Sequence, residues 1–66
     1  MSYGKRLRDL RAGRSQSEVA SALGVAQTTV SSWENEERAP KDQQKMMIAK
    51  YYNTTVADIF FTQEQQ

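Results

Sequence analysis

The chain contains no cysteine and no histidine. The first absence removes disulfides and thiolate metal ligands. The second removes imidazole ligands, and together they remove most nucleophile–base pairs. Asp9, Glu18 and Glu34 are acids, but no partner of the kind an active site needs accompanies them, so no enzyme activity, no metal and no cofactor are expected. No apolar run approaches the ~20 residues that span a bilayer, and the N-terminus lacks the apolar stretch of a signal peptide. The expectation is a soluble, cytoplasmic protein with no membrane partner. Proline occurs once, and there is no strand pattern and no internal repeat, so an all-α domain is expected.

What is present is short: 66 residues make one domain, near the lower limit for a core that stands alone. Such a chain buries only ~60% of its unfolded surface, which makes dimerisation a useful addition to stability. The net charge of +1 hides an uneven distribution. Lys5, Arg6, Arg8, Arg11 and Arg14 crowd the first segment against the single acid Asp9, while Glu34, Glu36 and Glu37 gather later. Such a run is commonly a solvated helix face. Beside a DNA-binding element, a phosphate-facing role is the better reading.

The most informative stretch is Ser15 to Asn35. Val19, Ala20 and Leu23 fall at helical spacing, and Ser15 with Glu18 three residues later reads as a capping-box start. Gly24 offers the left-handed conformation that ends a helix, and Val25 places an apolar side chain inside the turn. A second pattern begins at Gln27, with Val30 and Trp33 inward and Gln27, Thr28, Ser31 and Ser32 outward. Two helices about such a turn make a helix-turn-helix, whose second helix can lie in the DNA major groove.

The run Gln16 to Glu34, followed by Arg38-Ala-Pro40, resembles the Cro and phage-repressor (XRE-like) type of helix-turn-helix regulator. The likeness continues through Ile48 to Asn53 and Asp58-Ile-Phe60, and so spans nearly the whole chain. The resemblance implies a compact, five-helix, lambda-repressor-like domain that binds operator DNA, usually as a homodimer. It also implies residence at the nucleoid of a bacterial or phage-infected cell. Regulation would come through concentration, dimerisation or a regulatory protein partner. The alternative is a protein-interaction module of the same fold, such as an antitoxin or antirepressor subunit.

The sequence departs from the family pattern in places. The link from helix 1 to Gln16 is about two residues shorter than usual, Glu36 stands where Gly is frequent, and Lys45 replaces an apolar residue. Helix 1 is expected over about Tyr3 to Ala12, with Leu7 and Leu10 inward and Gly13 ending it. Helices 2 and 3 are expected over Gln16 to Leu23 and Gln27 to Asn35, the latter with no capping side chain at Ala26. Helix 4 would start after Pro40, a first-turn residue, with Met46 or Met47, Ile48, Ala49 and Tyr52 inward. Thr55 would cap a last short helix holding Ile59 and Phe60. Residues 1–61 are expected to form the domain and 62–66 a frayed tail.

Base contacts are expected from Gln27, Thr28 and Ser32. A Gln amide donates and accepts together, matching the adenine N6/N7 edge, and Thr offers a methyl to the thymine methyl. No Arg or Lys lies on helix 3, so the bidentate contact to guanine is missing and A·T steps are favoured. Backbone contacts are assigned to Arg14, Gln16, Thr29, Ser31, Asn35, Arg38 and Lys41, which position without reading sequence. Glu34 is read as pairing with a helix 1 arginine, Arg8 or Arg11. Phe61, grouped with Tyr51 and Val56, would form the two-fold interface.

Overall fold

In a computed structural model, which describes residues 3–61, five helices follow one another and no strand occurs among the described residues. They are α1 (Tyr3–Arg11), α2 (Gln16–Leu23), α3 (Gln27–Glu34), α4 (Asp42–Tyr51) and α5 (Val56–Phe60). The expected tail, 62–66, lies outside the described residues. Among those described, no helix is long and apolar enough to cross a membrane.

Local chemistry explains most boundaries. The Ser15 hydroxyl accepts from the Glu18 N–H at 3.0 Å, and the Thr55 hydroxyl accepts from the Asp58 N–H at 3.0 Å, so α2 and α5 start on capping side chains. Gly24 closes α2 at φ 74°, ψ 30°, and its N–H donates to the Ser21 carbonyl at 3.3 Å while that of Val25 reaches the Ala20 carbonyl at 3.0 Å. Those bonds satisfy the last carbonyls of the helix and set the turn angle. Ala26 has the extended backbone of a cap, φ −75° and ψ 152°, but no side chain to use it.

Several expectations needed correction. Helix α1 ends at Arg11, and the left-handed residue behind it is Ala12 (φ 53°), not Gly13. Helix α3 stops at Glu34, with Asn35 as its right-handed cap and Glu36 taking the left-handed conformation (φ 59°). Pro40 is buried but precedes the cap residue Lys41, so it stands outside the first turn of α4. There the Gln44 side chain accepts from the Lys41 N–H at 2.8 Å.

The inward stripe of α4 also differs. Met46 and Met47 are 60% and 42% exposed, and the residues one turn before the buried Ile48 and Ala49 are the half-buried Gln44 and Lys45. A 3.6-residue period places positions 44, 45, 48, 49 and 52 on one side, leaving the methionines outside. Lys45 adapts by snorkelling: its Nζ sits 5.3 Å from the Phe60 ring centre and 5.6 Å from that of Phe61.

The core joins all five helices. Leu7 of α1, Val19, Ala20 and Leu23 of α2, and Val30 and Trp33 of α3 pack with Ile48 and Ala49 of α4 and Ile59 of α5. Leu10, expected inward, is half-buried at its margin, as is Val25 of the turn. The α2–turn–α3 unit is thus held by apolar packing on its inner side, which leaves the outer side of α3 to polar residues.

Candidate nucleic-acid interface

Helix α3 is anchored at its C-terminal end by α1. Gly4 is buried where the two helices meet, and a Cβ on it would collide with the Glu34 carbonyl oxygen. That same carbonyl accepts from Arg8 Nη1 at 2.7 Å. The Glu34 carboxylate, 3% exposed, receives Arg11 Nε at 2.6 Å on Oε2 and Arg11 Nη2 at 3.0 Å on Oε1. A buried carboxylate persists only when its oxygens are satisfied, and this bidentate geometry supplies that. The Arg11 guanidinium is held even more firmly protonated by its hydrogen bond to Glu34. Both candidate arginines therefore engage Glu34, Arg11 through the carboxylate and Arg8 through the backbone.

The turn after α3 is held in the same way. The Gly4 N–H donates to the Glu36 carboxylate at 3.0 Å, and the Tyr3 hydroxyl donates to the Arg38 carbonyl at 3.2 Å. Arg6 Nη1 reaches the Asp58 and Ile59 carbonyls, at 3.2 and 3.1 Å, tying α1 to α5. The basic run that suggested a phosphate-facing helix thus works first as interhelix fastening through Arg6, Arg8 and Arg11. Sequence periodicity gave no sign of the Arg6 and Tyr3 contacts, because each partner is a backbone carbonyl more than thirty positions away.

At the opposite end of α3, Gln27 and Thr28 are exposed, while Thr29, Ser31 and Ser32 are half-buried. Thr28, Thr29, Ser32 and Arg38 line one open polar depression, so base-directed and backbone-directed candidates share a surface. Asn35 is exposed, and its Nδ2 donates weakly to Ser31 Oγ at 3.4 Å. Gln16, at the start of α2, is not a free side chain. Its Nε2 donates to Glu34 Oε1 at 3.0 Å, and its Oε1 accepts from Gln27 Nε2 at 2.6 Å.

Other candidates lie apart. Lys41 borders a second depression with Gly24, Val25 and Met47, beside the turn of the motif. Arg14 lays its guanidinium over the Tyr51 and Tyr52 rings, 5.3 and 5.6 Å from their centres. Tyr51, assigned to a dimer face, therefore has Arg14 and Tyr52 as neighbours, and Val56 packs against the core. Phe61 is 62% exposed and meets Lys45. Burial raises the Tyr52 phenol to about 12, reinforced by the nearby Glu34 carboxylate.

Five helices around one core, with α2 and α3 joined by a tight turn and α3 displaying a polar edge, define a helix-turn-helix domain. The chain belongs to the XRE-like helix-turn-helix family, whose helix-turn-helix model matches residues 5–59. With that family comes the general activity, DNA binding by a helix-turn-helix regulator, in a group not typically enzymatic. Comparison with curated proteins finds no match, and comparison with solved structures finds none.

Proposed function

We propose that the chain is a sequence-specific regulator of transcription that acts as a repressor, binding double-stranded operator DNA as a homodimer with α3 in the major groove. The observation that carries this reading is the polarity of α3. Its C-terminal end is locked to α1 through Glu34, and its N-terminal end presents Gln27 and Thr28 to solvent. Recognition helices of this motif meet base edges with their N-terminal residues. Gln27, Thr28 and Ser32 are the base-contacting residues of this proposal. Arg14, Gln16, Thr29, Ser31, Asn35, Arg38 and Lys41 meet phosphate and sugar.

Several phosphate contacts would make log affinity fall with log salt by about 0.9 per neutralised phosphate. Repression is the mode that occupancy of an operator achieves without further machinery. The dimer would set two copies of α3 about 34 Å apart, one DNA turn, on a pseudo-palindrome. Selecting bound duplexes from a random pool tests the whole reading. Paired, inverted half-sites with A·T pairs at the Gln27 positions are expected. No enrichment would overturn DNA readout in favour of a protein-interaction module, and single half-sites would overturn the dimer. G-rich half-sites contacted by Gln27 would overturn the A·T preference.

A further inference from the structure

We infer that Arg14 and Tyr51 together form a seat for one phosphate of the DNA backbone, beside the start of α2. The inference rests on the reading of Arg14 as a phosphate contact. It goes further by giving that contact a second donor and by taking Tyr51 away from the two-fold face.

Two expectations collide here. The sequence assigns Arg14 to DNA and Tyr51 to a partner protomer, yet the Arg14 guanidinium lies 5.3 Å from the Tyr51 ring centre. Side chains in such contact share one surface, and that surface adjoins α3. Two residues span at most about 7 Å of chain, so Arg14 stays close to Gln16, whose amide touches Gln27, the first residue of α3. Phe61 lies elsewhere. It meets Lys45, which precedes Tyr51 by six residues, about 9 Å along α4 and a third of a turn around it.

The chemistry of the pair fits a phosphate. Arg14 is exposed, no carboxylate pairs with it among the described residues, and its Nη1 donates only weakly to the Leu10 carbonyl, at 3.4 Å. The Tyr51 and Tyr52 rings, with centres 5.0 Å apart, hold the planar guanidinium, and a guanidinium over a ring keeps its N–H edge for acceptors. The Tyr51 hydroxyl makes no hydrogen bond among the described residues. Phosphate oxygens accept from arginine and from tyrosine hydroxyls alike. Tyr52 supplies only the second ring, since its side chain lines the small internal cavity that Glu34 also borders.

Binding to a short mixed-sequence duplex tests this without an operator, because a phosphate contact carries no sequence information. Tyr51→Phe removes a hydroxyl and keeps the ring under Arg14, so the fold is spared. It should weaken binding by about tenfold, the loss of one hydrogen bond to a charged acceptor, at an unchanged salt slope. Arg14→Gln should reduce the salt slope by about 0.9, since one phosphate is no longer neutralised. Arg14→Lys should keep the slope and still lose affinity, because an ammonium lacks the stacked fork. With Arg14→Gln already in place, Tyr51→Phe should cost only about twofold, as two donors of one seat are not additive. Sedimentation of Tyr51→Phe should match that of the parent.

A Tyr51→Phe protein that binds the duplex like the parent, or an Arg14→Gln protein with the parent's slope, would overturn the seat. Fully additive losses would overturn its being a single site. Lost self-association in Tyr51→Phe would return that residue to the two-fold face. A parent that binds no duplex even at low salt would overturn the DNA reading on which the proposal rests. The two failures are separable, because the first needs a parent that binds.

Discussion

Gly4 shows how a single contact can reverse the sign of a familiar substitution. Within a helix, Gly→Ala ordinarily stabilises by about 1 kcal/mol. Here the added Cβ would meet the Glu34 carbonyl oxygen, a backbone atom that can move only with the end of α3. Overpacking of this kind costs about 1–3 kcal/mol, so Gly4→Ala should lower the urea midpoint at an unchanged slope. A more stable variant would mean that α1 and α3 approach less closely. Glu36 is a related case, because its left-handed backbone costs about 1–2 kcal/mol in a residue with a Cβ. Its carboxylate, however, accepts from the Gly4 N–H, a first-turn donor with no partner within α1, and charge-assisted bonds contribute about 1.5–3 kcal/mol. Glu at this position is therefore compensated, which a comparison of residue types alone does not reveal. Tyr52 makes stability depend on alkaline pH. Its phenol titrates at about 12 in the folded state against an ordinary value of 10.0, so the unfolded chain loses the proton first. The stabilisation is complete below pH 10 and is lost as pH rises toward 12. Tyr52→Phe should flatten the stability profile in that window, as followed by chemical unfolding at a series of pH values. Tyrosinate absorbance should show a late-titrating phenol in the parent that Tyr52→Phe removes.

At the scale of the element, starts were legible and stops less so. Ser15 and Thr55 announce α2 and α5 because a capping hydroxyl acts within three residues, a local effect. Gly13 is the helix-ending residue the sequence offers for α1, but Ala12 takes the left-handed conformation itself. Hydrophobicity along α4 favours an inward Met46 or Met47. The helix is instead rotated so that Ile48 and Ala49 reach the core and Lys45 lies across the phenylalanines. Helix α3 carries the clearest unmet need, since Ala26 adopts a cap geometry without an acceptor. Ala26→Ser should raise stability by about 1 kcal/mol, measured by thermal or urea unfolding. Ala26→Asp should stabilise similarly and complement the helix dipole. Under the proposed binding mode its carboxylate would also stand where the N-terminus of α3 approaches DNA. It should therefore weaken operator binding in a gel shift, whereas Ala26→Ser should leave it nearly unchanged.

For the whole molecule, the central question is how a small core is supplemented. Polar fastening does part of this work. Arg8 and Arg11 lock α3, Arg6 binds the carbonyls at the end of α5, and Tyr3 packs 5.4 Å from the Phe60 ring centre. The proposed dimer would do the rest by covering Phe61. Phe61→Ala should then weaken self-association and the cooperativity of operator binding together. A variant that remained dimeric in sedimentation would remove Phe61 from the interface.

The sequence by itself determined the helical class, the helix-turn-helix at Ser15 to Asn35 and the polar face that α3 presents. Those properties depend on spacing and caps that act within a few residues. Tertiary structure alone decided which arginine grips Glu34, why position 4 is glycine, and that Gln16 and Gln27 join one hydrogen-bonded line from a buried carboxylate. These contacts link residues eleven to thirty-two positions apart. Their partners are often backbone carbonyls, which every residue carries, so no pattern of side chains could have signalled them.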